Sequence, residues 1–577
     1  MRRVTRAAAG PAYLILLVVV ALGFVLRVDN NDYGLPYVYN VDEGSHFTAR
    51  AVGMLGGDWD PGYFQNPSTF TYLANFALRL RFGHGNPFGS FGRVVEGFKI
   101  DPSAIYTTTR TLAAVLCMLG VVALFFAGRR IWGVGAGLAS AAILSFAFLP
   151  VTYSRIAVTD AGTLAPVAVS LAGAMLASDD GRLRWWLVAG LGAGLAVGFK
   201  YTAGLVLLPL VVVAAGLLVR DRRAAFRPVL IGAGVAALAA AVAFFVTNPY
   251  FFFDFSDARR QLAAQAATAG DFGKVGQQGT GLGYYLHSLT WGLGWVAALA
   301  ALAGALLELR RDVVRGLALL SFPIALFAYL SLQARFFGRW VLPAYPVFAL
   351  LAGAALAQAA QGLAALRPQL PKLAAPALLA LLVALTTAQP LAADARSAAV
   401  LGRTDTRQLA RDWLVANNPS ALRVVIEPAV PARYYRHQGR GALRNRKAFV
   451  RGFAKHQAET RVQYPSLLGP AYVDAYRRTG FCLVMTMSII QGRAVNAHLK
   501  PALAYYDRLA RESDVVFHSS PYSSGATPPK FDFDLSYNYY PSAFQRPGPE
   551  VTIYRLHNCK QGYGKLPPNT TLPGGIS

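Results

Sequence analysis

Asp42 and Glu43 stand side by side in "VYNVDEGSHFTAR", Val38–Arg50, in a chain that otherwise carries little acid: Lys and Arg number 55 against 29 Asp and Glu. Paired carboxylates can take a proton from a hydroxyl, hold a divalent metal, or line an ion path. Asp-Glu dipeptides are also common on solvated loop tips, so the pair alone decides little. Its companions add weight. "VTYSRIAVTD" supplies Arg155 and Asp160, "GFKYTAG" supplies Lys200, and "QARFFGRWVLPAYP" supplies Arg335 and Arg339. Singly, each cation reads as an interfacial anchor. Gathered around a carboxylate pair, they make a site for an anionic lipid head group. His46, four residues past Asp42, and His287 are candidate ligands for a divalent metal, though an interfacial polar role is commoner for each.

The elements that must position these groups are membrane helices. Of 577 residues, 54% are hydrophobic and 15% charged, and the mean hydropathy of +0.37 is too high for a soluble chain of this length. The first apolar run, uncharged from Gly10 to Leu26, is followed by Arg27-Val28-Asp29-Asn30 and not by a small-residue cleavage site, so it reads as a retained span. About eleven such runs occur, near 11–27, 104–127, 133–152, 157–177, 185–199, 202–219, 228–247, 286–307, 314–332, 341–360 and 373–390. The basic clusters Arg129-Arg130, Arg182 and Arg184, Arg220 to Arg227, Arg310 to Arg315, and Arg367 with Lys372 all fall on the side of Arg2, Arg3 and Arg6. The positive-inside rule makes that side cytoplasmic. Loops 28–103 and 248–285, with Asp42 and Glu43, then lie outside, as does everything after 390. The net charge of +26 is largely spent on this topology and implies no nucleic-acid partner. No GxxxxGK[ST] loop is present, which fits an outer-face site without nucleotide.

The fold class expected is an α-helical polytopic membrane domain, residues 1–390, with an extracytoplasmic α/β domain, 391–577. Loop 28–103 is rich in aromatics, with Thr69 to Leu73 suited to the interface, and "GDFGKVGQQGTGLGYY" reads as a mobile loop. In the tail, Thr406–Asn417 and Pro501–Arg511 read as helices, and "RVVIEP", "FCLVMTMS", "SDVVFHSS" and "EVTIYRLH" as strands. Cys117 reads as a buried hydrophobe; Cys482 and Cys559 are equally compatible with a bridge or two free thiols. "FDFDLSYNYYPSAFQRPGPEV", Phe531–Val551, pairs aromatic faces with carboxylates, which suits sugar rings, although a packed aromatic loop reads at least as well.

"VDEGSHFTARAVGML", "GRRIWG", "SRIAVTDAGTL" and "RFFGRWVLPAYPVFALLAG" together resemble bacterial members of the GT-C glycosyltransferase superfamily, and within it the protein O-mannosyltransferase and aminoarabinose-transferase branch. The resemblance spans roughly residues 10–390. It implies a hexosyl or pentosyl transferase, inverting, that takes a sugar from a polyprenyl-phosphate donor. The acceptor, a protein, lipid or glycan, would lie at the outer face of the cytoplasmic membrane. On it, Asp42 matches the general base, with Glu43 orienting it or touching the acceptor. Arg155, Arg339, Lys200 and Arg335 match candidates for the donor phosphate, and Asp160 matches a residue that holds an Arg in place. Some relatives bind a divalent metal near this site. Where the family often has a basic residue and Pro-Pro, this chain has Gln65-Asn66-Pro67-Ser68, which departs from the donor-contacting pattern. Two rival classes share the architecture. A transporter or flippase of lipid-linked sugar calls for charged, broken helices at midplane and internal repeats; a non-catalytic binder calls for a degraded acidic pair.

Overall fold

The computed structural model describes residues 9–83, 91–220, 222–271, 273–366, 369, 371, 373–417, 423–435, 448–449, 463–532 and 540–563. Arg2, Arg3, Arg6, Arg367, Lys372 and positions 533–539 of the aromatic stretch lie outside them.

Among the described residues, nine helices are long and apolar enough to cross a membrane, and ten crossings result if the bent pair Val134–Phe146 with Phe148–Ser154 counts as one span. All eleven expected runs fall on apolar helices, but the count of crossings is nine or ten. The run at 185–199 is the difference: Leu183–Phe199 has 17 residues and stops at Lys200. One face, Leu187, Leu191 and Leu195, is exposed, and the other packs closely on neighbouring helices. Gly190 and Gly194 lie directly against the backbone of Ala236 and Ala240 in Arg222–Thr247, where a Cβ has no room. Two glycines four apart are what close backbone approach in a membrane requires. The pair at 134–154 bends by 56° at Ala147, and Pro150 in the second half removes a backbone donor from the turn.

Membrane-facing apolar side chains stay exposed, among them Leu14, Leu238, Leu299 and Ile324, while the interior is filled by small and aliphatic groups such as Ala113, Val121, Leu164 and Leu350. Cys117 is free and buried there. The described residues of loop 28–103 include several short helices. Thr69–Phe82 buries Phe70, Thr71 and Ala74, and leaves Phe76 and Leu80 exposed.

After Ala374–Leu401, which runs unbroken through Pro390, the chain forms the α/β unit. Strands β1 (Val424–Ile426), β2 (Ala448–Phe449), β3 (Leu483–Met487), β4 (Ser513–Ser519) and β5 (Val551–Leu556) make one sheet in the order β2-β1-β3-β5-β4. β1 pairs parallel with β2 and β3, while β5 runs antiparallel between β3 and β4. Four strands fall on the segments read as strands; β2, two residues long, carries too little pattern to read. Helices Thr406–Asn417, Ala471–Thr479, Ser488–Asn496 and Lys500–Arg511 cover the sheet. Cys482 and Cys559, just outside β3 and β5, are joined in a disulfide with Cα atoms 5.5 Å apart. Closing a loop with sequence separation 77 removes chain entropy worth about 4 kcal/mol in the loop-closure picture.

Candidate active site

The acidic pair starts a helical turn. Asn40 Oδ1 accepts from the backbone N–H groups of Asp42 and Glu43, both at 3.1 Å, and Glu43–Phe47 then winds as a single wide π-type turn. Adjacent residues on such a turn point in different directions, and the two carboxylates have opposite surroundings.

Glu43 is fully buried. Arg110, from the long helix Ser103–Trp132, grips it with Nε to Oε1 at 2.6 Å and Nη2 to Oε2 at 2.8 Å, and the Ala157 N–H donates to Oε1 at 2.9 Å. The same guanidinium donates to the carbonyls of Asn31 and Tyr33. Glu43 therefore ties its loop to the helix Ser103–Trp132 and to the 155–159 turn, and has no face open to solvent.

Asp42 keeps 31% of its side chain exposed. It pairs with Arg339, and His46 Nε2 lies 3.9 Å from Oδ1. Burial alone would raise the Asp42 carboxyl, but Arg339, His46 and Lys274 together outweigh it and hold the group below its ordinary value. His46 stacks on Tyr63, centroids 4.8 Å apart and rings 5° from parallel, and Asn66 donates to Tyr63 Oη at 2.7 Å. Burial first, then nearby Arg50 and Arg339, keep His46 below its usual value despite Asp42. The Gln65–Ser68 segment that departs from the family pattern is thus fastened into the wall of the site, with Ser68 N–H donating to Asn248.

The expected cations divide. Arg339 meets Asp42. Lys200 is buried and pairs with Asp160, and also donates to the Arg339 carbonyl at 3.3 Å. Asp160 was expected to hold an Arg and holds this lysine instead, so Lys200 supports the segment carrying Arg339. Arg335 donates to the Thr268 carbonyl at 2.6 Å. Arg155 does not join the site. Its buried guanidinium donates to the Leu26 carbonyl from Nε at 2.8 Å and Nη2 at 2.6 Å, and reaches Ser397 Oγ at 3.4 Å. It braces the first helix against the last, because the end of Phe148–Ser154 turns it inward and not toward the mouth.

Two functional residues escaped the sequence reading. Arg110 left a signal, a charge inside an apolar run, where an ionised group requires a partner. Lys274 left none, sitting in a Gly- and Gln-rich segment. That segment is not the free loop expected. Val275 N–H donates to Gln463 Oε1 at 3.0 Å, Gln463 donates back to the Gly273 carbonyl at 2.9 Å, and Asn496 donates to the Gly276 carbonyl at 3.3 Å. The α/β domain so presents Lys274 to Asp42. Burial, then neighbouring Arg335 and Arg493, push the Lys274 ammonium down to about 8. Tyr37, a few residues before Asp42, is likewise packed in the core of the α/β domain, edge-on to Tyr434 at 5.5 Å, and Arg407 covers the Tyr39 ring at 3.6 Å.

Among the described residues no three His, Cys, Asp or Glu side chains converge in a metal-binding group. Asp42 and His46 meet as a pair; His287 is exposed on Gly281–Leu289. What the site offers is one accessible carboxylate facing a guanidinium and a half-buried ammonium.

The polytopic helical domain with its appended mixed sheet has the GT-C fold. Two solved structures carry it. The Archaeoglobus fulgidus oligosaccharyltransferase in the apo form superposes with a TM-score of 0.55 at 14% identity, covering 93% of this chain and 75% of its own. ArnT from Cupriavidus metallidurans in the apo state gives 0.50 at 16% identity, covering 83% and 93%. Within the membrane domain, residues 106–249 match the family model described as dolichyl-phosphate-mannose-protein mannosyltransferase. A search of curated protein sequences finds no match.

Proposed function

We propose that this multi-pass membrane protein transfers a sugar from a polyprenyl-phosphate carrier to a hydroxyl acceptor on the outer face of the cytoplasmic membrane, with inversion. The observation that carries the reading is the division of the acidic pair: Glu43 is consumed by Arg110, while Asp42 stays accessible, ionised and faced by cations. The same fold in the archaeal oligosaccharyltransferase AglB, at a TM-score of 0.53 and 14% identity, is described in complex with an inhibitory peptide and a dolichol-phosphate. That agrees with a lipid-phosphate carrier and a separate acceptor.

The chemistry then runs as one displacement. The acceptor oxygen forms its bond to the anomeric carbon as the bond from that carbon to the phosphate oxygen breaks. The acceptor proton passes to Asp42, which must lie within hydrogen-bond reach of it. Charge developing on the departing phosphate is met by Arg339 and Lys274, with Arg335 beside Lys274. Arrival of the phosphate competes for Arg339 and releases Asp42 from its ion pair, so donor binding itself prepares the base. Lys200 and Asp160 position Arg339; Glu43 and Arg110 position Asp42. Should a divalent metal be used, Asp42 and His46 are the two groups placed to touch it.

The deciding experiment incubates purified protein with a panel of polyprenyl-phosphate sugars and a cell-envelope fraction supplying hydroxyl acceptors, and measures released polyprenyl phosphate by mass spectrometry. Release with one sugar class supports the proposal. Absence of release across the panel, with the donor bound and then recovered intact on the opposite leaflet of proteoliposomes, replaces it with transport.

A further inference from the structure

The chain leaves the span Ala224–Thr247 by a fixed turn. Asn248 is buried there; its side-chain amide donates to Thr69 Oγ1 at 3.0 Å, and its side-chain oxygen accepts from the Ser68 N–H. One short helix, Pro249–Phe253, follows. After Asp254 the chain winds into Phe255–Asp271, a helix of 17 residues and so about 25 Å long. Its far end meets a different span. The Ala334 N–H donates to the Ala269 carbonyl at 2.9 Å, and Arg335 to the Thr268 carbonyl at 2.6 Å, just beyond the end of Val313–Ser331. A helix that joins the Asp42-side ends of two membrane helices runs across the membrane surface and not along its normal.

The start of this segment carries an apolar patch. Phe252, Phe253 and Phe255 are 43%, 71% and 55% exposed. The patch continues the lipid-facing surface of the span before it, where Phe245 and Val246 are also exposed. Ring contacts cross the join, Phe245 to Phe252 at 5.3 Å and Phe245 to Phe253 at 6.0 Å. Arg260 is paired with Asp257. Arg259, exposed and one turn past Phe255, makes no ion pair among the described residues. Exposed rings continuous with a span, followed by an arginine free to reach outward, suit one partner. The rings enter acyl chains while the long arginine side chain rises to the lipid phosphates. A docking surface for another protein would stand apart from the lipid-facing surface, and this patch extends it.

The same helix carries three connections into the candidate active site. Gln261 Oε1 accepts from the Phe64 N–H at 2.8 Å and so holds the segment whose Tyr63 stacks on His46. Thr268 holds Arg335. Lys274 follows directly on the helix end at Asp271. The height of this helix at the membrane surface therefore sets the height of all three.

We propose that Pro249–Asp271 is a membrane-interface anchor, with Phe252, Phe253 and Phe255 among the acyl chains and Arg259 at the phosphates of the Asp42-side leaflet, and that this seat positions Lys274 over the site. The positioning role rests on the transferase reading; the membrane contact does not. Cys117 is buried and Cys482 is bridged to Cys559, so a nitroxide reagent reports on one introduced cysteine at a time. The full chain is labelled in vesicles of phosphatidylethanolamine and phosphatidylglycerol, without donor. The label is then relaxed by oxygen, which concentrates in acyl chains, or by a water-soluble nickel chelate. Oxygen should dominate at Phe253→Cys, and nickel at Ser523→Cys, exposed on the α/β domain. Nickel dominating at Phe253→Cys overturns the anchor, and Phe252→Cys gives the same reading if the first variant fails to fold. The positioning role has its own signature. Phe253→Ser combined with Phe255→Ser loosens the seat and opens Lys274 to water, so the alkaline fall in donor kcat/KM near 8 should move to higher pH. A merely destabilised protein loses activity at every pH without moving that limb, and an unmoved limb in the folded double variant overturns the positioning role. Polyprenyl-phosphate release by the unaltered protein is read separately, so failure of the anchor and failure of the transferase reading give different results.

Discussion

Replacing each member of the acidic pair by its amide separates chemistry from architecture. In Glu43→Gln the side chain keeps its shape, but one oxygen becomes an NH2 that faces the donor N–H groups of Arg110 at a spacing of 2.6–2.8 Å. Arg110 is left buried and uncompensated, for which breaking a buried pair costs about 3–5 kcal/mol. Its two remaining bonds, to the carbonyls of Asn31 at 2.6 Å and Tyr33 at 2.9 Å, spread the charge and favour the lower end, about 3 kcal/mol. At about 2 °C per kcal/mol for a large unit, the midpoint drops by roughly 6 °C. Asp42→Asn removes a charge that is 31% exposed beside Arg339 and lowers the midpoint less than Glu43→Gln does, while transfer falls by about two to four decades. The assay is a pair of measurements on each variant: a thermal scan in detergent at one fixed rate, since such unfolding is seldom reversible, and released polyprenyl phosphate from saturating donor. A Glu43→Gln protein that keeps its midpoint yet loses transfer as completely as Asp42→Asn refutes the division of roles, and so does an Asp42→Asn protein that turns over normally.

Arg339→Lys loses the planar fork and should raise the donor KM, whereas Arg155→Lys, at the Leu26 brace, should lower thermal stability and leave donor dependence alone; the opposite pattern in steady-state kinetics would return Arg155 to the phosphate. Lys274 gives a pH signature. Charged below about 8 and neutral above it, it should make kcat/KM for the donor decline as pH rises through that value, and Lys274→Gln should flatten this limb while weakening donor use roughly tenfold at neutral pH. The acid limb belongs to Asp42 and lies below the ordinary 3.8, so activity persisting above pH 9 undiminished counts against Lys274, and a limb near 6 counts against Asp42. Cysteines placed at Gly57 and Ser523 should react with a membrane-impermeant maleimide on intact cells while one at Ala225 stays protected; labelling at 225 overturns the outward orientation.

Much of the scaffold was legible because its signals are local. Apolar runs give helices, and the β3 sequence LVMTM, buried at every position, declares itself as a strand without reference to anything distant. The site was legible by content and not by arrangement. Nothing in "DEG" says that Asp42 faces the mouth and Glu43 the interior, since that depends on a single wide turn set by Asn40. Arg155 and Arg339 both sit at helix ends, and sequence fixes depth along a helix far better than the direction around it. Lys274 acquires its role only because Gln463 and Asn496, nearly two hundred residues or more away, hold its loop.

The same long-range contacts bear on where the machine divides. A boundary at 390 falls inside Ala374–Leu401, and both approaches to Asp42 are anchored beyond it. On one side the chain enters through Tyr37 and Tyr39, packed against Tyr434 and Arg407 of the α/β domain. On the other, the 273–278 segment hangs between Gln463 and Asn496 of that domain and Phe336 of the membrane domain, to which Gln277 donates. Residues from the membrane helices alone, Arg110 and Lys200, hold the frame of the site, but its accessible charges are aimed from outside.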